Sequence, residues 1–140
     1  MKTIGRVEKI SFLKWEIENL PTKIDTGAYT SSIHCKHIVE ENGVLAFKLL
    51  CPKTEKYNNK LIKTDKYQIK KIRSSNGKQQ KRYVVDANVL FFGKKYKVKF
   101  SLSDREKMNY PVLIGRRFLN RKFIVDVSKK NISVKEKLER

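Results

Sequence analysis

Residues 23–28 read "KIDTGA" and run on into "YTSSIH" at 29–34. Asp25 closes an apolar, strand-like stretch, Thr22–Asp25, and is followed at once by Thr26 and by Gly27, which has no Cβ. An Asp-x-Gly sequence is by itself an ordinary turn, and a lone carboxylate at the end of an apolar strand is costly to bury. The setting raises this one above a surface turn. Ile24 precedes it, the small Ala28 follows the glycine, and a distant stretch, "YPVLIGRRFL" at 110–119, is able to pack behind it. There an apolar strand, Val112–Ile114, breaks at Gly115 into Arg116, Arg117 and a short helix expected over 115–120.

Working outward, alternation with period two dominates the chain. Tyr96, Val98, Phe100 and Leu102 share one strand face, with Lys97, Lys99, Ser101 and Ser103 on the other. Segments 88–92 and 96–102 read as a hairpin around Gly93. Asn76-Gly77 predicts a second, tight hairpin, with arms "YQIKKIRS" and "KQQKRYVVDA". Those arms carry few apolar residues, so this hairpin should project from the body. Further strands are expected at Thr3–Ile10, Lys14–Glu18, Ser31–His34, Val44–Cys51 and Phe123–Val127, and a helix in the ending "SVKEKLER". Trp15 is expected on the Lys14–Glu18 strand as core or dimer-edge packing. Many short strands with turn signals indicate an all-β barrel or sandwich.

The chain has 140 residues, enough for one core, with 33 Lys and Arg against 14 Asp and Glu, a formal charge of +19. We expect one domain over 1–128 and a C-terminal tail over 129–140. Such a charge attracts polyanions without choosing among them. No apolar run approaches the ~20 residues of a membrane span, and the start has no secretory pattern, so the expected location is the cytoplasm, with no membrane partner. Two cysteines, Cys35 and Cys51, make no disulfide framework. His34, Cys35 and His37 lack the spacing that orients ligands on a turn or a helix face; they read as ordinary strand-end residues, and no metal site is expected.

Together, "KIDTGAYTSSIH", "LSDREKMNYPVLIGRRFL" and "FIVDVS" resemble the retropepsins, and among them a bacterial branch that has carried the label of ATP-dependent zinc proteases. The resemblance covers Ile4 to Ser128. It implies a closed all-β barrel with one short helix and a hairpin flap, the flap being the hairpin at Asn76 and Gly77. The label fails against the residues: there is no G-x-x-x-x-G-K-[ST] loop and no zinc motif, so neither ATP nor zinc, nor any other cofactor, is expected. The resemblance makes Asp25 the catalytic residue. Thr26 would lock two such turns across a two-fold axis, Gly27 would admit close approach, Ala28 would line the cleft, and Gly115 and Arg116 would pack behind them.

Hydrolysing an amide without a metal or a covalent nucleophile requires one group to deprotonate water and another to protonate the carbonyl. Two carboxylates sharing a proton do both. Asp65, Asp86, Asp104 and Asp126 are not followed by Thr/Ser-Gly, so the second carboxylate is expected from another copy, in a homodimer. "SDREKMNYP" at 103–111 reads as a loop, with an Asp104–Arg105 ion pair in its turn. Where viral relatives carry acidic residues this chain has Tyr29 and Thr30, which leaves Arg116 two options. It binds a structural acceptor, a carbonyl or Asp126, or else Arg116 or Arg117 grips a substrate carboxylate. Tyr29, Thr30, Arg116, Arg117, Asn76 and Gly77 are the substrate-binding candidates. Lys66, Lys70, Lys71, Arg73, Lys78, Lys81 and Arg82 crowd the flap, and the branch is associated with enzymes that add glutamates to the tails of proteins, ribosomal proteins among them. The resemblance therefore implies an acidic peptide or protein substrate. Two other readings stand beside it. One is a basic β-barrel for RNA or DNA, which requires exposed aromatics between the lysines and is the less favoured. The other is an inactive retropepsin-like scaffold.

Overall fold

The computed structural model describes residues 1–73, 77–104 and 106–138. Its strands are β1 (Lys2–Gly5), β2 (Val7–Phe12), β3 (Ile17–Asp25), β4 (Ser31–Glu41), β5 (Val44–Leu49) and β6 (Leu61–Thr64). They continue as β7 (Gln68–Arg73), β8 (Gln79–Phe91), β9 (Lys94–Ser103), β10 (Val112–Gly115) and β11 (Phe123–Asp126). The helices are α1 (Arg116–Leu119) and α2 (Ile132–Leu138). Strands pair in the order β10-β3-β2-β8-β9-β4, and β4 returns to β10, so six strands close a barrel. Fully buried Phe12, Phe47, Phe91 and Phe100, with Ile10, Ile33 and Ile114, fill it. The expected all-β closed barrel is the fold, with two short helices where the sequence placed one in its interior and one at its end.

Alternation held where it was clean. Val98, Phe100 and Leu102 are buried and Lys97 and Lys99 exposed. Phe92 and Gly93 take positive φ, 51° and 75°, in the two-residue turn joining β8 to β9, the geometry that matches strand twist. Phe91 and Phe100 lie in the core, and Phe92 and Tyr96 pack against it.

Other expectations needed correction. The single strand at Thr3–Ile10 is two, because the chain turns off at Gly5 and Arg6. Gly5 lies against the Lys129 backbone, where a Cβ would stand 2.5 Å from the carbonyl oxygen, and the Arg6 amide donates to that oxygen at 2.8 Å. β1 thereby leaves the barrel to pair in parallel with β11. The strand at Lys14–Glu18 begins only at Ile17. Trp15 sits in the preceding turn, stacked on Phe12 with ring centres 5.3 Å apart. β4 runs on to Glu41, past a bulge at His37 (φ 55°), so His34 and Cys35 are buried within a strand and not at its end. Burial pushes the Cys35 thiol up and the His34 imidazole down, leaving both uncharged at neutral pH. β6 escaped the sequence reading because an exposed edge strand of four residues has too little alternation to register.

The second hairpin projects as expected. β7 and β8 pair from Gln68↔Val84 to Arg73↔Gln79, whereas β9 joins β8 only from Val84. At the hairpin root, the hydroxyls of Tyr67 and Tyr83 both donate to the Glu40 carboxylate on β4. That hydrogen bond pushes the Tyr67 phenol up to about 12. Asn76 lies outside the described residues. Gly77 has φ +83°, with nothing within 4 Å of where a Cβ would be.

Two polar clusters fix the periphery. Glu8 is fully buried and accepts from the amides of Gly5 (2.7 Å), Ile132 (3.2 Å) and Ser133 (2.9 Å) and from the Ser133 hydroxyl (2.8 Å). One carboxylate thus joins β1, β2 and α2. Lys36 donates to Asp104 and Glu106, both at 2.7 Å, and holds the loop that leads into β10. Asp104 pairs with Lys36, accepts from the Glu106 amide at 3.0 Å and lies 3.6 Å from His34 Nδ1; Arg105 lies outside the described residues.

Glu8→Ala removes the acceptor of four buried or half-buried donors, and is expected to cost about 2–4 kcal/mol, read as a lowered urea midpoint at unchanged slope. Hydrogen bonds from Lys36 hold the Asp104 and Glu106 carboxyls below their ordinary values. Their stabilisation is therefore complete above the ordinary carboxylate pKa and lost as pH falls through the lowered one. Asp104→Asn should be less stable than the parent at neutral pH, and the gap in denaturation midpoint should close below roughly pH 4.

Candidate functional site

β3 ends at Asp25 and β4 starts at Ser31, yet the two do not pair. β10 lies between them, parallel to β3 with Gly115 opposite Asp25, and antiparallel to β4 with Leu113 opposite Ser32. Val112 and Ile114 are fully buried, which is why an unbroken apolar triplet is needed here. The loop from Asp25 to Ser31 is then fastened to the chain that leaves β10. The Arg116 amide donates to the Ala28 carbonyl at 2.8 Å and the Arg117 amide to the Tyr29 carbonyl at 3.0 Å. The Gly115 amide donates to the Ser31 hydroxyl at 3.1 Å. A Cβ on Gly115 would stand 2.7 Å from the Thr30 carbonyl oxygen, so only glycine allows this contact.

Asp25 occupies the mouth of the arrangement, its side chain 27% exposed. Its Oδ1 accepts from the Gly27 amide at 2.9 Å, and its carbonyl accepts from the Ala28 amide at 3.2 Å. The Lys23 ammonium stands 3.9 Å from Oδ2. A Cβ on Gly27 would come within 3.2 Å of Oδ1, so the glycine leaves that oxygen approachable. The carboxylate is thus oriented by its own loop, with one edge toward solvent.

Arg116 takes the structural option. Its Nη1 lies 3.3 Å from the Gly27 carbonyl oxygen and 3.5 Å from that of Thr26, and its guanidinium lies 5.4 Å from the Tyr29 ring centre. Asp126 is not its partner: that carboxylate accepts from the Ser128 hydroxyl at 2.6 Å and amide at 3.0 Å. Arg117 points elsewhere. With Thr30 it lines a cavity of about 260 Å³ shared with Lys70 and Arg82 at the hairpin root and with Lys97 and Lys122. The cavity floor is Val84 and Phe118.

The structure therefore brings Asp25, Thr26, Gly27, Ala28, Tyr29, Gly115 and Arg116 into one loop cluster, and Thr30 and Arg117 into an adjoining basic cavity. It does not bring Gly77 to either. Sequence reasoning missed Ser31, which holds the Gly115 amide, and Lys97 and Lys122, which join the cavity. Lys97 had a signal, its place on the polar face of β9. Among the described residues no group of three or more His, Cys, Asp or Glu side chains converges as a metal site would. No described helix is long and apolar enough to cross a membrane.

The same fold occurs in a crystal structure of a Legionella pneumophila protein of unknown function, 25% identical, with a TM-score of 0.72 and coverage of 94% of this chain and 98% of that one. Curated relatives are named probable alpha-L-glutamate ligases, one from Shewanella pealeana, 30% identical over 129 residues, and one from Desulfotalea psychrophila, 27% over 131. Each match takes 89% of this chain but 28% of the relative, so the chain spans less than a third of the length of these relatives. The model of the RimB-like family, described as retropepsin-like aspartic endopeptidase RimB, matches residues 3–136, and with β10 seated behind an Asp-Thr-Gly loop, the chain belongs to that family.

Proposed function

We propose that the protein is a cytoplasmic aspartic endopeptidase, active as a homodimer, that cleaves acidic peptide chains. The observation that carries this reading is the Asp25 carboxylate, oriented by the Gly27 amide at the mouth of the β3–β10–β4 arrangement. Membership of a family described as retropepsin-like aspartic endopeptidases supports it. Each chain offers one such loop. Asp65, Asp86, Asp104 and Asp126 are not followed by Thr/Ser-Gly, and the last three are engaged by Lys99, Lys36 and Ser128, so Asp25 of a second copy is the partner the chemistry needs.

Two carboxylates about 3 Å apart cannot both ionise, and they share one proton. The ionised member takes a proton from a water lying between them as its oxygen attacks the scissile carbonyl carbon. The protonated member gives its proton to the carbonyl oxygen. The resulting gem-diol collapses, breaking the C–N bond: the carboxyl that took the water proton gives it to the leaving amine, while the ionised carboxylate takes one hydroxyl proton. The dyad then holds one proton again. Thr26 would lock the two loops across the two-fold axis, and Gly27 would admit the substrate backbone. Arg116 works indirectly, by holding the loop carbonyls.

Acidic specificity is supported by the cavity that joins Thr30 to Arg117, Lys70, Arg82, Lys97 and Lys122. Relatives named as glutamate ligases support a substrate made of glutamyl residues. Buried Phe91 and Phe100 withdraw two of the stacking platforms that the nucleic-acid reading requires.

The deciding experiment compares wild type with Asp25→Asn on glutamate-rich and neutral peptides, from acidic to neutral pH and at low and high salt, while following oligomeric state. Cleavage should fall by about a hundredfold to ten-thousandfold or more in the variant, with the dimer intact. Glutamate-rich peptides should be preferred, and less so as salt rises. Equal cleavage by the variant, or cleavage by a strictly monomeric species, would refute the dyad. Loss of RNA binding on Asp25→Asn is not expected under any reading. A wild-type protein that binds acidic peptides and leaves every one intact would identify an inactive scaffold.

A further inference from the structure

A second cavity, of about 590 Å³, opens beside the first. Lys14, Trp15, Lys63, Lys66 and Tyr67 line it, and it shares Val84, Lys97 and Lys99 with the basic cavity near Asp25. The two concavities therefore meet along a ridge made by Lys97 and Lys99 on β9. Positively charged side chains run from Arg117 and Lys122, over that ridge, to Lys63, Lys66 and Lys14. Asp86 is the one acidic residue lining either cavity, and its carboxylate is taken by the Lys99 ammonium at 3.1 Å. Among the described residues, no ion pair engages Lys63, Lys66, Lys97 or Arg117. Like charges gathered on a concave wall repel one another, and the low-dielectric walls focus their field on whatever occupies the groove. A lysine-covered convex surface would disperse that repulsion into solvent; this one concentrates it.

The track is long. β3 runs from Ile17, two residues after Trp15, to Asp25, which sets the separation of the two ends at up to about 25 Å of extended strand. An extended peptide covers that length in about seven or eight residues. The cations are mostly lysines, point charges on flexible stems that do not impose the planar fork geometry of arginine. Such a wall binds a run of carboxylates in any register, so affinity follows the number of charges and not their sequence. The aromatic residues here are already committed. The Trp15 ring stacks on Phe12 and meets Phe47 edge-on, while the Tyr67 hydroxyl is held by Glu40 and its ring packs against Tyr83. Neither offers the two free faces on which nucleic-acid bases stack, so the groove fits an acidic peptide better than RNA.

We propose that this groove is an exosite that holds an extended acidic peptide beyond the scissile bond, from the cavity beside Asp25 to the Trp15 end of the barrel. The proposal rests on the acidic-substrate reading above and deepens it. It makes the enzyme a judge of length: a chain too short to reach Lys63 and Lys66 forfeits that half of the attraction.

Trp15 is the only tryptophan of the chain, and its fluorescence reports the far end of the groove. The test titrates Asp25→Asn protein, which needs no turnover, with oligoglutamates of about four, eight and twelve residues. The expected result is a Kd that falls steeply from four to eight and levels off by twelve, with Trp15 responding only to the longer peptides. In the same protein Lys63→Glu with Lys66→Glu should raise the Kd for the longest peptide about tenfold and flatten the dependence on length. Circular dichroism confirms that the variant is folded. The proposal is overturned by a Kd independent of length, by a silent Trp15, by unchanged affinity in the lysine variant, or by an RNA oligomer of equal charge displacing the peptide at lower concentration. Length-dependent binding together with a wild-type protein that cleaves nothing would keep the exosite and reject the peptidase.

Discussion

The contact between Gly115 and the carbonyl of Thr30 is the constraint on which the site depends. β10 can lie between β3 and β4, and the loop after Asp25 can rest on it, only because no side chain stands at the crossing. Once that approach is made, the amides of Gly115, Arg116 and Arg117 all find acceptors in the loop, and the Arg116 guanidinium closes over its remaining carbonyls. The carboxylate of Asp25 inherits its position from this chain of bonds. It is held at the end of a barrel strand anchored by buried Ile17, Leu20, Thr22 and Ile24, so its orientation does not rest on a flexible side chain alone.

The basic residues divide by what the fold does with them. Lys36 is spent on Asp104 and Glu106, which tie the loop before β10 to β4 and so reach the site through the backbone. Arg116 is spent on carbonyls. Arg117, Lys97, Lys63 and Lys66 are left facing two joined cavities. A composition strongly biased to lysine, which by itself says only that polyanions are attracted, thus becomes directional. The flap adds to this. Its root is fastened to Glu40 by Tyr67 and Tyr83, and beyond the root β7 pairs with β8. It brings Lys70 and Arg82 to one wall of the cavity.

Glu8 shows the complementary case, a charge that serves the fold. Buried beneath α2, it satisfies amides from both ends of the chain, and with the Lys129–Arg6 contact it brings residues near the C-terminus against the turn that separates β1 from β2. The pairing of β1 with β11 follows from that turn.

Much was written locally. The period-two stretches of β8 and β9, the turn at Gly93, the apolar triplet before Gly115 and the Asp-Thr-Gly turn each carry their conformation in adjacent residues, because alternation and turn chemistry act over a few bonds. The strand break at Arg6, the run of β4 through His37, the edge strand β6 and the partner of Arg116 were not legible, because each is decided by a group distant in sequence: Lys129 for the break, β5 for the bulge, carbonyls some ninety residues away for the guanidinium. Sequence alone determined that an aspartate would end a barrel strand in a strongly basic chain. Only tertiary structure decided which lysines face a groove and which are neutralised, since charges in a linear chain have no neighbours until the barrel closes and brings β9, the hairpin root and α1 to a common wall.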